Sequence, residues 1–284
     1  MPEKGTLYIC ATPIGNLGDI TIRVLETLKQ VDFIAAEDTR HSKKLLDHYG
    51  IKTPMLSYHQ HNEKQRAPEI ITRLDQGENC ALISDAGMPG ISDPGQILIR
   101  MCQEQDIKID VLPGPNAAIT ALVLSGMPTD SFLFMGFLPA VKGERRKKLE
   151  NIKPYFTTFL FYEAPHKITK TLNDILEILG DRQAAVVREL TKIHQTVHKG
   201  LVSELLVQFQ AEPPKGECCL ILAPAKENIS KGEPSDWLEE MQRLESQGIA
   251  RKEAMKKAAQ KYGISKRELY KASIAEKEKG REVT

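Results

Sequence analysis

The chain has 284 residues, 41% hydrophobic and 27% charged, with 39 Lys and Arg against 38 Asp and Glu for a formal charge of +1. This length allows two domains and a sizeable core, and the charge balance excludes a wholly basic nucleic-acid binder while leaving local patches open. Five cysteines (Cys10, Cys80, Cys102, Cys218 and Cys219) form no C-x-x-C pair, no signal-peptide pattern precedes the first strand, and no apolar run reaches membrane-span length, so a cytoplasmic protein with reduced thiols is expected.

Thr6 to Ala11 reads as a buried strand that ends in the Gly-containing loop Thr12 to Gly18. Asp19 or Thr21 can cap a helix carrying Ile20, Val24, Leu25 and Leu28, and Phe33 to Ala36 gives a second strand ending in Glu37-Asp38-Thr39-Arg40-His41. A helix with Leu45 and Leu46 follows, then a polar loop Ser57 to Asn62 and a helix through Ile70, Ile71 and Leu74. Ala81-Leu82-Ile83 is a buried strand that stops abruptly at Ser84-Asp85, in a segment rich in Gly and Pro that runs to Gly95. Such a loop is either a tight surface turn or a rigid main-chain surface that a ligand touches directly. Ile109 to Leu112 forms a further strand, ending in Pro113-Gly114-Pro115-Asn116 before an Ala-rich helix from Ala117.

Strands alternating with helices over the first 120 or so residues indicate a parallel sheet covered on both faces, with ligands at the carboxyl ends of its strands. The Gly/Pro loops after residues 11, 84 and 112 would share one edge. None contains G-x-G-x-x-G, a P-loop or a lysine, which argues against a polyphosphate and for a small flat-ringed ligand held by main-chain groups.

Residues 126–143 read as a connector, with the basic run Gly143-Glu144-Arg145-Arg146-Lys147-Lys148 at its end, which is either a solvated helix start or a functional basic patch. A second α/β segment follows, with strands at 158–163, 184–187, 197–200 and 218–222 and a helix through Ile168, Leu172, Ile175 and Leu179. The expected division is 1–119, 120–225 and a basic helical tail over 226–284. Between Ile249 and Lys271 eight basic residues face only Glu253 and Glu268, in a helix-turn-helix outline with Gly263 at the turn and Ser265 as N-cap. It is either a structural cap or a nucleic-acid contact, and the charge bias favours the latter.

The motifs Ala11 to Asp19, Ala36 to His41, Ser84 to Gly87, Ser92 to Gly95 and Pro113 to Asn116, with Gly136 to Pro139, Tyr162 to Lys167, Arg188 to Lys192 and Lys215 to Glu217, closely resemble the tetrapyrrole methylase superfamily, in its ribosomal-RNA-methylating branch. The match covers about residues 5 to 224 and departs from the pattern at Met88 and Gly90.

The resemblance implies an α/β fold of two-domain, tetrapyrrole-methylase-like (class III methyltransferase) architecture with a C-terminal helical, helix-turn-helix-like segment. It also implies a homodimer that binds S-adenosylmethionine between domains and methylates the ribose 2′-hydroxyl of a cytidine in the decoding centre of small-subunit (16S) ribosomal RNA, free or in the 30S subunit. The alternatives are a tetrapyrrole or other small-molecule methyltransferase of the same fold, and a non-catalytic RNA-binding assembly factor.

On this reading the cofactor contacts are Pro13, Gly15, Asp85, Ala86, Gly87, Ile91, Ser92, Ala117 and Ala118, with Pro165, Ala223 and Pro224 closing from the second segment. Asp85 either accepts from the cofactor ammonium or caps its own turn. Glu37, Asp38, His59 and Glu163 are unranked candidates for the proton acceptor, and Glu37 and Asp38 with Arg40 can equally form an ion-pair network that only shapes the site. Arg40, Lys43, Lys44, Arg145, Arg146, Lys256, Lys257, Lys266 and Arg267 are the candidate RNA contacts, and His59 with Tyr58 either stacks on or hydrogen-bonds an unpaired base or is merely solvated in its loop. No metal is expected, since His59 and His61 are two apart with no cysteine near.

Overall fold

The computed structural model describes residues 3–225, 233–262 and 264–279. They form two compact units divided after Pro224.

In the first unit, β1 (Thr6–Cys10), β2 (Phe33–Ala36), β3 (Met55–Ser57), β4 (Cys80–Ile83) and β5 (Lys108–Leu112) make a parallel sheet in the order β3-β2-β4-β1-β5. α1 (Ile22–Gln30), α2 (Thr39–His48), α3 (Glu63–Asp75) and α4 (Gln96–Glu104) connect the strands. Because side chains alternate along each strand, Leu7, Ile9, Phe33 and Leu82 pack one way against α3 and α4, while Cys10, Ile34, Ile83 and Leu112 pack the other way against α1 and α2. Both faces are covered, which explains the continuous apolar runs of β2 and β4.

α5 (Ala117–Ser125) is capped by the Asn116 side chain, which accepts from the Ile119 N–H at 3.0 Å, and packs Ala118, Ala121 and Leu122 against the next sheet. That sheet has the order β6-β7-β10-β8-β9, from β6 (Phe132–Phe137), β7 (Thr158–Glu163), β8 (Gln183–Arg188), β9 (Thr196–Leu201) and β10 (Cys218–Leu222). β6 and β7 are parallel and the other pairs antiparallel. α6 (Lys142–Ile152), α7 (Ile168–Leu179) and α8 (Val202–Ala211) cover its other face around Phe159, Phe161 and Phe209. β6 lies where the sequence reads as a connector, and β3 falls just before the Ser57 to Asn62 loop, where the sequence reading has no strand.

The second unit holds α9 (Pro234–Ser246), α10 (Arg251–Lys261) and α11 (Lys266–Lys279), packed through Leu238, Met241, Leu244, Ala254, Ala258, Ile264 and Leu269. Glu240 ties α9 to α10 by accepting from Lys261 Nζ at 2.7 Å and from Arg243 at 2.7 and 3.0 Å, and these bonds hold its carboxyl at about 2. Ser265 Oγ accepts from the Glu268 N–H at 3.1 Å, an N-terminal cap for α11, while Gly263 lies outside the described residues.

Candidate active site

Three strand-end loops meet at the carboxyl edge of the first sheet. Thr12 and Gly87 pair main chain to main chain at 2.9 and 3.0 Å, and the Thr12 hydroxyl donates to the Ser84 carbonyl at 3.0 Å. Gly114 lies so close to the first loop that a Cβ there would fall 2.8 Å from Ala11 Cβ. Gly87 has φ +81°, and Ser92, although not glycine, has φ 63°. The loop is thus tied to its neighbours, and Ser92 holds a left-handed conformation uncommon for a residue with a Cβ.

These loops wall one side of a cavity of about 340 Å³, within the usual range for ligand pockets. Ile14, Ala86, Gly87, Met88, Ile91, Ser92, Asp93, Asn116 and Ala117 come from the first sheet's edge, and Phe137, Tyr162, Glu163, Ala164, Pro165, Val187, Leu190 and residues 217–219 from the second sheet. Tyr162 packs edge-on to Phe134 with ring centroids 4.9 Å apart. Burial pushes the Cys219 thiol up to about 12 and the Cys218 thiol to about 11, so both are neutral at physiological pH and act as small apolar wall rather than nucleophiles.

The ionisable lining is one-signed in its acids. Asp93, Glu163 and Glu217 face the cavity, whereas among the described residues no Lys, Arg or His lines it. Burial, with repulsion from Glu37 and Asp85 outweighing help from the Ser84 hydroxyl, pushes the Asp93 carboxyl up to about 7. A site of this charge repels phosphate and suits a cation.

Of the expected cofactor contacts, Ala86, Gly87, Ile91, Ser92, Ala117 and Pro165 line the cavity. Pro13, Gly15, Asp85, Ala118, Ala223 and Pro224 do not. Gly15 instead abuts the turn after β8, and Asp85 Oδ1 accepts from the Asp38 N–H at 3.1 Å. Asp93, Asn116 and Tyr162, which lie inside the motifs but not among the expected contacts, also line the cavity; Asp93 stands in the same loop as Asp85, and nothing local distinguishes which carboxylate faces inward.

The four candidate proton acceptors differ in occupation. Asp38 is the N-cap of α2, accepting from the Arg40 N–H at 2.8 Å and the His41 N–H at 3.4 Å, and its carboxyl is held below the usual range by those bonds. Glu163 is buried, accepting from the Ala164 N–H at 2.9 Å and the Thr171 hydroxyl at 2.5 Å. Glu37 is half-buried, with its carboxyl raised chiefly by burial, and His59 carries a buried Nδ1 with no hydrogen-bond partner. Tyr58 is wholly buried in the core, so it cannot stack on an unpaired base as the sequence reading expects.

Two of the candidate RNA contacts turn inward. Arg145 is 4% exposed, pairs with the buried Asp174 at 2.7 Å and donates to the Pro139 and Ala140 carbonyls, because α6 packs its face against α7. Arg146 pairs with Asp174 at 3.0 Å and with Glu177. Arg40, Lys43, Lys44, Lys256, Lys257, Lys266 and Arg267 are exposed. Among the described residues no group of three or more His, Cys, Asp or Glu is arranged to hold a metal ion, and no helix is long and apolar enough to cross a membrane.

Two α/β layers with small-residue strand-end loops around an acid-lined cleft have the architecture of class III methyltransferases, whose methyl donor is S-adenosylmethionine. Residues 6–206 match the family described as Tetrapyrrole (Corrin/Porphyrin) Methylases. A solved diphthine synthase superposes with TM-score 0.61 at 12% identity, covering 77% of this chain and 90% of that one, which shows the shared fold. Relatives named Ribosomal RNA small subunit methyltransferase I include one from Halalkalibacterium halodurans, 46% identical over 94% of each chain, and one from Thermotoga maritima, 47% identical over 77% of this chain and 98% of the relative. The chain belongs to the ribosomal RNA small subunit methyltransferase I family of the tetrapyrrole methylases.

Proposed function

We propose that this enzyme uses S-adenosylmethionine to methylate the ribose 2′-hydroxyl of a cytidine in the decoding centre of small-subunit ribosomal RNA, acting in the cytoplasm. The observation that carries the cofactor reading is the cavity lined by carboxylates and, among the described residues, free of Lys, Arg and His. When bound, the cofactor supplies a methyl group already activated by its sulfonium. Asp93 would face a cationic group, and Gly87, Ala86 and Ala117 would admit main-chain contact with a flat ring. The chain's own work is then to exclude water and hold the ribose oxygen in line with the methyl carbon.

The RNA substrate reading follows the relatives' name and is supported by the exposed cations Arg40, Lys43 and Lys44 at the start of α2 and Lys256, Lys257, Lys266 and Arg267 in the second unit. In it, 1–119 and 120–225 form the catalytic body and 226–284 the RNA-holding tail. The enzyme acts as a homodimer: α5 leaves Ile119 and Val123 exposed and β6 leaves Phe132 and Leu133 exposed, apolar surface of the kind a second copy would cover. Incubation with labelled S-adenosylmethionine and small subunits from cells lacking the gene tests the reading. Label should appear on a cytidine ribose by mass spectrometry of digested RNA, and label on a base or on a tetrapyrrole instead contradicts it.

A further inference from the structure

The edge order β3-β2-β4 sets three ionisable groups side by side: His59 after β3, Glu37 after β2 and Asp85 after β4. Register fixes this, since Ala36, the last residue of β2, pairs with both Ser57 and Ile83. Asp85 is fastened from both directions. Its N–H donates to Glu37 Oε2 at 3.4 Å, and its Oδ1 accepts from the Asp38 N–H at 3.1 Å. Glu37 therefore sits between His59 and Asp85, aimed by main chain, with one oxygen free of protein hydrogen bonds and no ion pair among the described residues. Its charge is close enough to that of Asp93, in the cavity wall, for the two to repel.

The rival carboxylates have other work. Both oxygens of Glu163 accept protein hydrogen bonds, Asp38 caps α2, and Asp93, in the cavity wall that Glu37 stands behind, is the group set against the cofactor's cation. We propose that the Glu37 carboxylate is the catalytic proton acceptor, with His59 beside it as a positioning group; this rests on the methyltransferase reading above. As the hydroxyl oxygen forms its bond to the methyl carbon, the O–H proton passes to the free oxygen of Glu37 and the C–S electron pair returns to sulfur. Charge balances, because one carboxylate anion and one sulfonium become a neutral acid and a thioether. Half-buried Glu37 then returns the proton to water. The groups facing Glu37 are Asp38 from its own loop, His59 after β3, and Asp85 and Asp93 from the β4 loop. The three carboxylates oppose its ionisation and a protonated His59 favours it.

The test is single-turnover methyl transfer to unmodified small subunits by the full-length protein, with calorimetric S-adenosylmethionine binding and thermal melts run on the same samples. Glu37→Gln should slow transfer by about 10² to 10⁴-fold, the usual weight of a general base, with cofactor and subunit affinities within about twofold of wild type. Wild-type rate should rise with pH on an acidic limb that Glu37→Gln lacks, and Glu37→Asp should keep that limb at a lower plateau, which tests the proposal even where the Gln variant fails to fold. His59→Asn should shift the limb rather than remove it. A Glu37→Gln rate within threefold of wild type overturns the assignment, as does loss of cofactor binding in that variant. Wild-type protein that transfers no methyl group fails the functional reading and takes this assignment with it, whereas an active wild type with an unimpaired Glu37→Gln overturns the assignment alone.

Discussion

Gly15 lies against the main chain of Leu190: a Cβ added there would sit 2.6 Å from the Leu190 carbonyl oxygen and 2.8 Å from Thr191 Oγ1. Leu190 lines the cavity, so this contact sets the separation of its two walls. The opposing turn cannot yield. Glu189 and Thr191 have φ of 50° and 64°, Glu189 accepts from Lys192 Nζ and the Glu217 N–H at 3.1 and 3.0 Å, and Arg188 donates to the Lys215 carbonyl. Gly15→Ala should therefore cost the overpacking energy of about 1–3 kcal/mol and weaken cofactor binding roughly 5- to 150-fold at 1.4 kcal/mol per tenfold. Gly143→Ala, where a Cβ meets nothing within 4 Å, is the control. Calorimetry that finds equal affinities for both variants refutes the wall-spacing role.

Asp93 predicts a pH-dependent gain on neutralisation. With its carboxyl raised to about 7, the native state keeps a proton that the unfolded chain releases above about pH 4. Its stabilising share is present below that pH and is lost as pH rises through about 7. Asp93→Asn escapes this loss. After discounting for solvent screening the gain at pH 8 is about 1–2 kcal/mol, or roughly 2–8 °C in Tm, shrinking towards zero at pH 4. Melts showing the same difference at both pH values would contradict the raised carboxyl. The same variant should bind S-adenosylmethionine more weakly, and wild-type binding near pH 6.5 should release protons to buffer as the cation draws the carboxyl down.

Much of the first sheet is legible locally, because a fully covered parallel strand is an unbroken apolar run and its end is marked by Gly and Pro. β6 is not, since Phe132, Leu133 and Phe137 are exposed and Phe134 and Met135 only half-buried, giving no alternation to read. The far wall of the cavity is legible only at Glu163 and Pro165: Val187 and Cys219 look like any core residues, and only the packing of the second sheet turns them towards the loops. Charge runs mislead for a related reason. The partner of Arg145 is Asp174, 29 residues on, and nothing within α6 announces it.

Arg145 is predicted to be a structural residue. Arg145→Ala leaves Asp174 with Arg146 alone and two carbonyls without their donor, so unfolding stability should fall by about 3 kcal/mol. Denaturant titration measures the loss. RNA affinity at a temperature where the variant is folded should stay within about twofold of wild type, and a stable variant with poor RNA affinity would return Arg145 to the interface.

The second unit should act on affinity and leave chemistry alone. α10 and α11 bury Ala254, Ala258 and Leu269 and leave Lys256, Lys257, Lys266 and Arg267 exposed, so replacing these four with Ala removes charge without opening the core. The Thermotoga maritima relative matches this chain over only 77% of its length while being covered over 98% of its own, so a shorter chain carries the same family name. The expected result is accordingly a graded loss: weaker binding to small-subunit RNA, an unchanged maximal transfer rate and unchanged cofactor affinity. If each cation contacts one phosphate, the slope of log affinity against log salt should fall by about 0.7–0.9 per residue, or roughly 3 for the quadruple variant. An unaltered salt slope would make the unit a structural cap, and a fall in maximal rate at saturating RNA would place it in the catalytic step.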